Sequence, residues 1–254
     1  FFILFFDGGV WALCAVPLSA NIYTLGWLLF HPIPDQYVSK EPLHMIKSNI
    51  NWKENIFPLQ WRFGLSWMSG YASTHLLVPI TFISLGAISA GKLGITVGAL
   101  NALLLVSLSP ITAKYPTMAS LITKNQKTEL NRLFIALLKQ GLIFIISGMM
   151  IFLLFIALGS NFTIIPMDRF ASLEISFLYS ISTLATFFIG CFAPYMRAHG
   201  QEPMLKVSVI GTLCLITFYA INFDQMTNIL LRYHLLTNIF LVLPWTIILF
   251  IKYY

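Results

Sequence analysis

Charged residues are scarce in this sequence, at 9% of 254 residues, whereas an ordinary soluble domain carries about 25%. Hydrophobic residues make up 58% of the chain, and its mean hydropathy is +0.82. The sequence also lacks Gly/Ser-rich and low-complexity stretches, and no gap between its apolar runs is long enough for a soluble domain. This composition excludes a soluble globular fold and predicts an all-α polytopic membrane protein.

Cysteine is rare as well, since Cys14, Cys191 and Cys214 lie singly in apolar runs without metal-ligand or redox spacing. The sequence contains no Ser-His-Asp or Cys-His arrangement, no cluster of metal ligands and no phosphate-binding loop. Nothing in it therefore points to covalent catalysis. We expect a protein that is not an enzyme and that uses no cofactor.

Long apolar runs are abundant, and about seven of them are long enough to cross a hydrocarbon core of about 30 Å. They lie at about Gly8 to Phe30, Trp61 to Leu85, Leu93 to Ala113, Leu133 to Leu158, Ser172 to Pro194, Leu205 to Phe223 and Ile229 to Ile251. The sequence begins FFILFFDGG, without an initiator Met or a signal-type cleavage site. We therefore expect the chain to open at a membrane span and to be a fragment.

The basic residues lie in short connections between the spans, so the formal net charge of +6 does not indicate a nucleic-acid partner. When alternate connections are placed in the cytoplasm, that side receives twelve of the Lys and Arg residues. The opposite side receives three, Lys92, Arg169 and Arg232. The positive-inside rule then predicts a cytoplasmic C-terminus.

Two cytoplasmic connections have helical patterns of their own. In the first, Leu43, Ile46, Ile50 and Phe57 recur at near-helical spacing, which predicts an amphipathic helix on the membrane surface. In the second, an apolar stripe from Met118 to Ile122 predicts a short interfacial helix. Thr128 and Glu129 then resemble the N-cap and first turn of the next span.

The stretch from Trp61 to Asn101 is the most informative part of the chain. It contains an aromatic-rich apolar span, a tight Gly/Ser/Ala turn and a second apolar span. Small and polar groups run through the first half of the first span: Ser66, Ser69, Gly70, Tyr71, Ser73, Thr74 and His75. Lipid penalises such groups unless they face other helices or water, so the pattern predicts a transport pathway. Pro79 is a candidate kink in the same helix.

Four segments of the sequence resemble a known family of transporters. QWRFGLSWMSGYASTHLLVPITF, GAISAGKLGITV, SPITAKYPTMASLITKNQKTELNRLF and APYMRAHGQEP are similar to segments of the Wzx-type polysaccharide (O-antigen) flippases and related polysaccharide biosynthesis membrane proteins. Their superfamily also contains MATE antiporters and MurJ. Its members have two six-helix lobes with a central cavity between them.

The resemblance implies an architecture and a set of partners. Residues 61–254 would be the C-terminal six-helix lobe, and residues 1–60 would hold the last helix of an incomplete N-terminal lobe and a cytoplasmic linker. The protein would flip a polyprenyl-pyrophosphate oligosaccharide across the bacterial inner membrane by alternating access. The lipid-linked oligosaccharide, membrane lipids and the missing N-terminal lobe would be its partners.

Two basic residues are candidate contacts for the pyrophosphate. The fork of Arg62 matches phosphate oxygens in pairs, and Lys114 could supply a second cation. Arg62 could instead be an interfacial anchor, and Lys114 a charge that only sets the topology.

Three residues spaced by four, Trp67, Tyr71 and His75, form one stripe on the first span. Aromatic rings beside hydroxyl groups suit sugar recognition, although helix packing and a structural histidine are the alternatives. Asn101 is a further candidate substrate contact or an interhelical hydrogen bond. Glu174 is either a coupling carboxylate or part of a solvated helix N-terminus.

Two other functions remain open from the sequence. A MATE-like antiporter for cationic drugs would have acidic cavity residues, and the well-embedded spans contain nearly none. A membrane-embedded polymerase or acyltransferase would have a large extramembrane loop or a cluster of His, Asp or Arg. The longest gap, His31 to Gln60, is instead cytoplasmic and amphipathic.

Overall fold

A computed structural model describes residues 18–19, 21–26, 52–159, 169–222 and 227–254, and these contain no strand. Contacts divide the chain into two units, Phe1–Ile50 and Asn51–Tyr254. In the first unit, residues 18–19 and 21–26 are helical. Most of the predicted span from Gly8 to Phe30 lies outside the described residues. Leu43, Ile46 and Ile50 of the predicted surface helix also lie outside them, whereas its last position, Phe57, begins the helix Phe57–His75.

The described part of the second unit contains eight α-helices. In chain order they are α1 (Phe57–His75), α2 (Leu77–Ala113), α3 (Tyr115–Thr123), α4 (Lys127–Gly159), α5 (Leu173–Arg197), α6 (Met204–Ile221), α7 (Thr227–Leu236) and α8 (Leu243–Ile251). A π-helical turn, Trp52–Ile56, precedes α1, and a second, Thr237–Val242, joins α7 to α8. This second turn ends just before Pro244, which has no N–H group to continue an α-helical ladder.

Five helical stretches in the described residues are long and apolar enough to cross a membrane. They are Phe57–Thr123, Lys127–Gly159, Leu173–Arg197, Met204–Ile221 and Ile229–Ile251. Large apolar side chains cover their outer surface, and Ile88, Ile143 and Ile151 are each more than 60% exposed. The described chain is thus an all-helical protein with the character of a membrane protein, as the sequence predicts.

The predicted Gly/Ser/Ala turn lies at Gly86, inside α2. Gly86 has φ 82° and ψ 177°, a conformation open to glycine and strained for other residues. The two limbs of α2 fold back on each other there, because a Cβ built on Gly94 would lie 3.6 Å from Cγ1 of Val78. A straight helix would separate these residues by about 24 Å. The second and third predicted spans therefore lie on either side of Gly86.

A second interruption separates α1 from α2 at Leu76, three residues before Pro79. The ring of Pro79 cannot donate a hydrogen bond to the carbonyl of His75 and crowds that same carbonyl. Leu76 keeps helical dihedral angles, φ −69° and ψ −25°, so the helix is interrupted without a reversal of the chain.

Close contacts between helices define the core. α2 packs against α4 and α5, whereas α1 packs mainly against α6. Leu100, Ile111, Ile145, Phe187 and Cys191 are fully buried in this core. Lipid tails are as apolar as these side chains, so the core holds together through close van der Waals packing rather than through expulsion of water.

The second long connection follows its prediction in part. The expected interfacial helix is α3, and Asn125 in the left-handed region (φ 57°) ends the turn after it. The predicted N-cap at Thr128 is wrong, because α4 begins at Lys127 and places Thr128 inside its first turn. The N–H of Leu130 donates to the carbonyl of Gln126, so the helical ladder starts earlier than the side-chain pattern indicated.

Candidate functional site

The predicted stripe on α1 lies on an open face of the helix. Trp67 and Tyr71 are 67% and 66% exposed, and His75 is exposed beside them. The Tyr71 and His75 rings stack with their centroids 4.2 Å apart. Ser66 is the one residue of α1 that is fully buried. The stripe is therefore available to a ligand or a neighbouring helix, and it does not form part of the core of this unit.

The two predicted phosphate contacts are also on the surface. The Arg62 and Lys114 side chains are exposed, and neither forms a hydrogen bond or ion pair with another residue that the structure describes. Arg62 lies one helical turn before Ser66, near the start of α1. Lys114 lies between α2 and α3. Each cation is therefore free to meet an anion, although no contact joins the two.

Asn101 and Glu174 lie away from the α1 face. The Asn101 side chain interacts with that of Tyr179 on α5, which matches the interhelical alternative for this residue. Oε1 of Glu174 lies 3.2 Å from Nη2 of Arg232, and both side chains are more than half exposed. An exposed pair of this kind contributes little to stability, and its position at the start of α5 is that of a solvated helix N-terminus.

A buried ion pair beside α1 did not emerge as a site from the sequence. Nε of Arg197 donates to Oε2 of Glu202 at 2.6 Å, and Nη2 donates to Oε1 at 2.9 Å. The Glu202 side chain is completely buried, and that of Arg197 is 16% exposed. Arg197 is the last residue of α5, and Glu202 lies in the tight turn between α5 and α6, where Gly200 has φ 74°. This paired geometry satisfies the buried carboxylate.

The ion pair is attached to α1 at three residues. The Ser66 hydroxyl donates to Oε1 of Glu202 at 2.8 Å. The Arg197 guanidinium carbon lies 5.7 Å from the ring centroid of Phe63 and 5.5 Å from that of Trp67. A cation over two aromatic faces gains about 0.5–2 kcal/mol from each, depending on how dry the site is. Polar and cation–π contacts thus hold Phe63, Ser66 and Trp67 of α1 against the Arg197–Glu202 pair.

A second polar cluster lies deeper in the unit and was also not identified from the sequence. Nδ1 of His234 is 3.3 Å from the Tyr219 hydroxyl, and Nε2 is 3.1 Å from Nδ2 of Asn238. Nδ2 of Asn238 also donates to the Ser182 hydroxyl at 2.9 Å. His234 and Asn238 are 2% and 5% exposed. The network joins α5, α6 and α7, which is the usual role of buried polar residues between membrane helices.

A small cavity of about 110 Å³ borders Asn238 of this network. Ser73 and Thr74 line it from α1, Thr186 from α5, Ser208 from α6 and Asn238 from the π-helical turn. A larger cleft of about 720 Å³ lies in the fork at Gly86, but its lining is apolar. Hydroxyl groups of α1 thus face a small cavity on its α6 side, which Ile189, Met204 and Val242 line as well.

Comparisons with known proteins identify no relative: no family model matches the chain, and no similar curated protein or solved structure is found. No group of three or more His, Cys, Asp or Glu residues in the described part of the chain could hold a metal ion. The groups that the structure describes at the candidate site are an exposed guanidinium, an aromatic stripe and a buried ion pair.

Proposed function

We propose that the chain is the C-terminal lobe, with one preceding helix, of an exporter that flips a polyprenyl-pyrophosphate oligosaccharide across a bacterial inner membrane. The observation that carries this proposal is the open face of α1, where Trp67, Tyr71 and His75 are exposed on a helix of a membrane-spanning stretch. Such a face offers rings for stacking on sugars and polar groups for their hydroxyls.

The free cation at the start of the same helix supports the assignment of the head group. Arg62 has no partner among the described residues, and its fork can hold two phosphate oxygens at once. The pyrophosphate would meet Arg62 near the membrane surface while the polyprenyl tail stays in lipid. The sugars would reach the stripe one to three turns further along α1.

The mechanism in this proposal is alternating access between two lobes. No bond in the substrate is broken, so no nucleophile or metal is required. The interruption at Leu76 and the turn at Gly86 would let the α1 segment change its angle while the packed core of α2, α4 and α5 keeps its shape. The central cavity between the two lobes would then open alternately to the two sides of the membrane.

Substitutions at Arg62 test the proposal in the complete two-lobe protein. Arg62→Lys keeps the charge and loses the paired hydrogen bonds, so we expect export to fall several-fold. Arg62→Gln removes both, and we expect export to fall to about a tenth or less. Export of lipid-linked glycan at matched protein levels is the measurement.

Lys124→Gln is the matched control, because Lys124 is an exposed cation on the predicted cytoplasmic side that is not a candidate phosphate contact, and we expect normal export from it. If Arg62 is only an interfacial anchor, Lys will support normal export, because Lys reaches the interface as well as Arg does. Near-normal export by Arg62→Gln would contradict the role of Arg62 in binding pyrophosphate.

A further inference from the structure

The Trp67 indole combines high exposure with a fixed neighbour on one face. Its side chain is 67% exposed, and the Arg197 guanidinium lies over its ring at 5.5 Å. The opposite face of the ring is available for stacking. A large aromatic side chain on a helix surface ordinarily samples more than one rotamer. Fixing one rotamer when a ligand binds costs about 0.5–1.5 kcal/mol of binding free energy per side chain.

Arg197 is itself held in place by a closed set of contacts that returns to α1. Two hydrogen bonds fix its guanidinium to Glu202, and Glu202 accepts a further hydrogen bond from Ser66. Phe63 and Trp67 contribute rings to the same guanidinium. The contacts therefore run from Ser66 through Glu202 and Arg197 to Trp67, one residue further along the same helix.

The charge of the pair indicates which part of a substrate it serves. The Glu202 carboxylate lies 2.6 Å from Arg197 and cancels most of its field, so the pair attracts a second anion weakly. Arg62, which has no described partner, keeps its full charge for a phosphate group. The aromatic surface beside the neutralised pair is suited to an uncharged, hydroxyl-rich ligand that offers an apolar face.

We propose that Arg197, fixed by Glu202 and Ser66, is a positioning residue that orients the Trp67 indole as the stacking platform for the sugar part of the substrate. This inference rests on the proposed function and deepens it by separating a sugar subsite at Trp67 from an anion subsite at Arg62. Arg197 acts through Trp67 and does not itself contact the sugar. Holding the ring in advance improves sugar affinity several-fold.

The test compares two ligands that differ only in their sugars. One is the lipid-linked oligosaccharide isolated from the cells that make the protein, and the other is the same polyprenyl pyrophosphate after the sugars are removed. Binding of each is measured with the complete two-lobe protein in detergent. We expect the wild-type protein to bind the sugar-bearing lipid more tightly, and Trp67→Ala to remove that preference without weakening the sugar-free lipid.

The double variant Arg197→Gln with Glu202→Gln removes the pair and leaves no buried charge unpaired. We expect it to lower the affinity for the sugar-bearing lipid about two- to tenfold and to leave the affinity for the sugar-free lipid unchanged. Arg232→Gln with Glu174→Gln removes an exposed Arg–Glu pair and is the matched control, for which both affinities should stay unchanged. Arg62→Gln should lower the affinities for both lipids by the same factor.

A spectroscopic measurement separates positioning of the ring from general stability. With fluorotryptophan incorporated, the ¹⁹F resonance of Trp67 is assigned by its loss in Trp67→Phe. We expect one sharp resonance in the wild-type protein and a broadened or split one in the Arg197/Glu202 double variant, with the other tryptophan resonances unmoved. An unchanged Trp67 resonance, or an unchanged sugar preference in that variant, overturns the positioning role.

The outcomes for the two proposals can be told apart. If the wild-type protein binds neither lipid, the proposed function and the sugar subsite both fall. If it binds both lipids equally, the sugar subsite is overturned while the proposed function stands. If the wild-type preference is present and Trp67→Ala retains it, the sugar subsite is overturned while the proposed function stands.

Discussion

Single residues on α1 and its neighbours show how polar groups are accommodated beside lipid. Ser66 is buried because its hydroxyl has two partners on other elements, Glu202 and Ser208. The Thr212 hydroxyl donates to the carbonyl of Ser69 at 2.8 Å and so forms a further link between α6 and α1. Every buried side-chain nitrogen and oxygen in the described residues has a partner. An unpaired group there would cost several kcal/mol, since lipid offers no replacement.

Gly141 tests close packing at the scale of one methyl group. A Cβ at this position would lie 2.6 Å from the backbone oxygen of Ser107 and 2.9 Å from the Phe187 ring. The backbone of α2 cannot yield as a side chain can, so we expect Gly141→Ala to lower the free energy of unfolding by about 1–3 kcal/mol. Thermal unfolding of the purified chain in detergent is the measurement.

Gly98→Ala is the control for this substitution, because a Cβ at Gly98 would meet nothing within 4 Å. We expect the control to be neutral or to raise the free energy of unfolding by up to about 1 kcal/mol, as Ala favours a helix more than Gly does. Equal effects of the two substitutions would show that helix propensity, and not the contact between α2 and α4, determines the result.

At the scale of elements, the chain reversal at Gly86 divides the apolar stretch Phe57–Thr123 into two limbs that pack side by side. Residues 57–85 and 87–113 lie on either side of it, and the two limbs approach each other at Val78 and Gly94. An alanine at Gly86 would have to adopt φ 82°. We therefore expect Gly86→Ala to lower the free energy of unfolding by about 1–3 kcal/mol, measured by thermal unfolding in detergent. Gly91→Ala, with no positive φ and no atom within 4 Å, is the matched control.

Disulfide cross-linking between the two limbs measures the chain reversal at Gly86 directly. With Val78→Cys and Gly94→Cys, we expect a disulfide under mild oxidation, because a Cβ at position 94 would lie 3.6 Å from Cγ1 of Val78 across the fork. Addition of Gly86→Ala should reduce the yield. A yield no higher than that of the pair Val78→Cys and Gly98→Cys would contradict the folded-back arrangement of α2.

At the scale of the whole molecule, the ends of long helices determine which residues share a side of the membrane. The limb from 87 to 113 is about 40 Å long, so Gly91 and the connection that contains Asn125 lie at opposite ends of it. The bias of twelve basic residues to three predicts that Asn125 and His199 lie on the cytoplasmic side and Gly91 on the outer side.

Cysteine labelling of intact cells tests this orientation. A membrane-impermeant thiol reagent should label Gly91→Cys and Phe162→Cys in a background without the native cysteines. It should not label Asn125→Cys or His199→Cys until the cells are opened. Labelling of the second pair in intact cells would reverse the predicted topology.

The sequence determines which segments are helical and which are suited to lipid, because composition and run length alone specify them. The predicted stripe follows from a spacing of four residues, and the structure adds that Trp67, Tyr71 and His75 are exposed. The turn at Gly86 follows from its small residues. These features depend on neighbours in sequence, and their physical cause is local.

Only the tertiary structure decided which polar groups meet. Ser66 and Glu202 are 136 residues apart, and Glu174 and Arg232 are 58 apart, so no local pattern could pair them. Arg197 is one of the twelve basic residues assigned to the cytoplasmic side, yet about half of the chain separates it from the Trp67 ring that it contacts. Helix packing brings such residues together, because a buried charge or hydroxyl is stable only where a neighbouring helix supplies its partner.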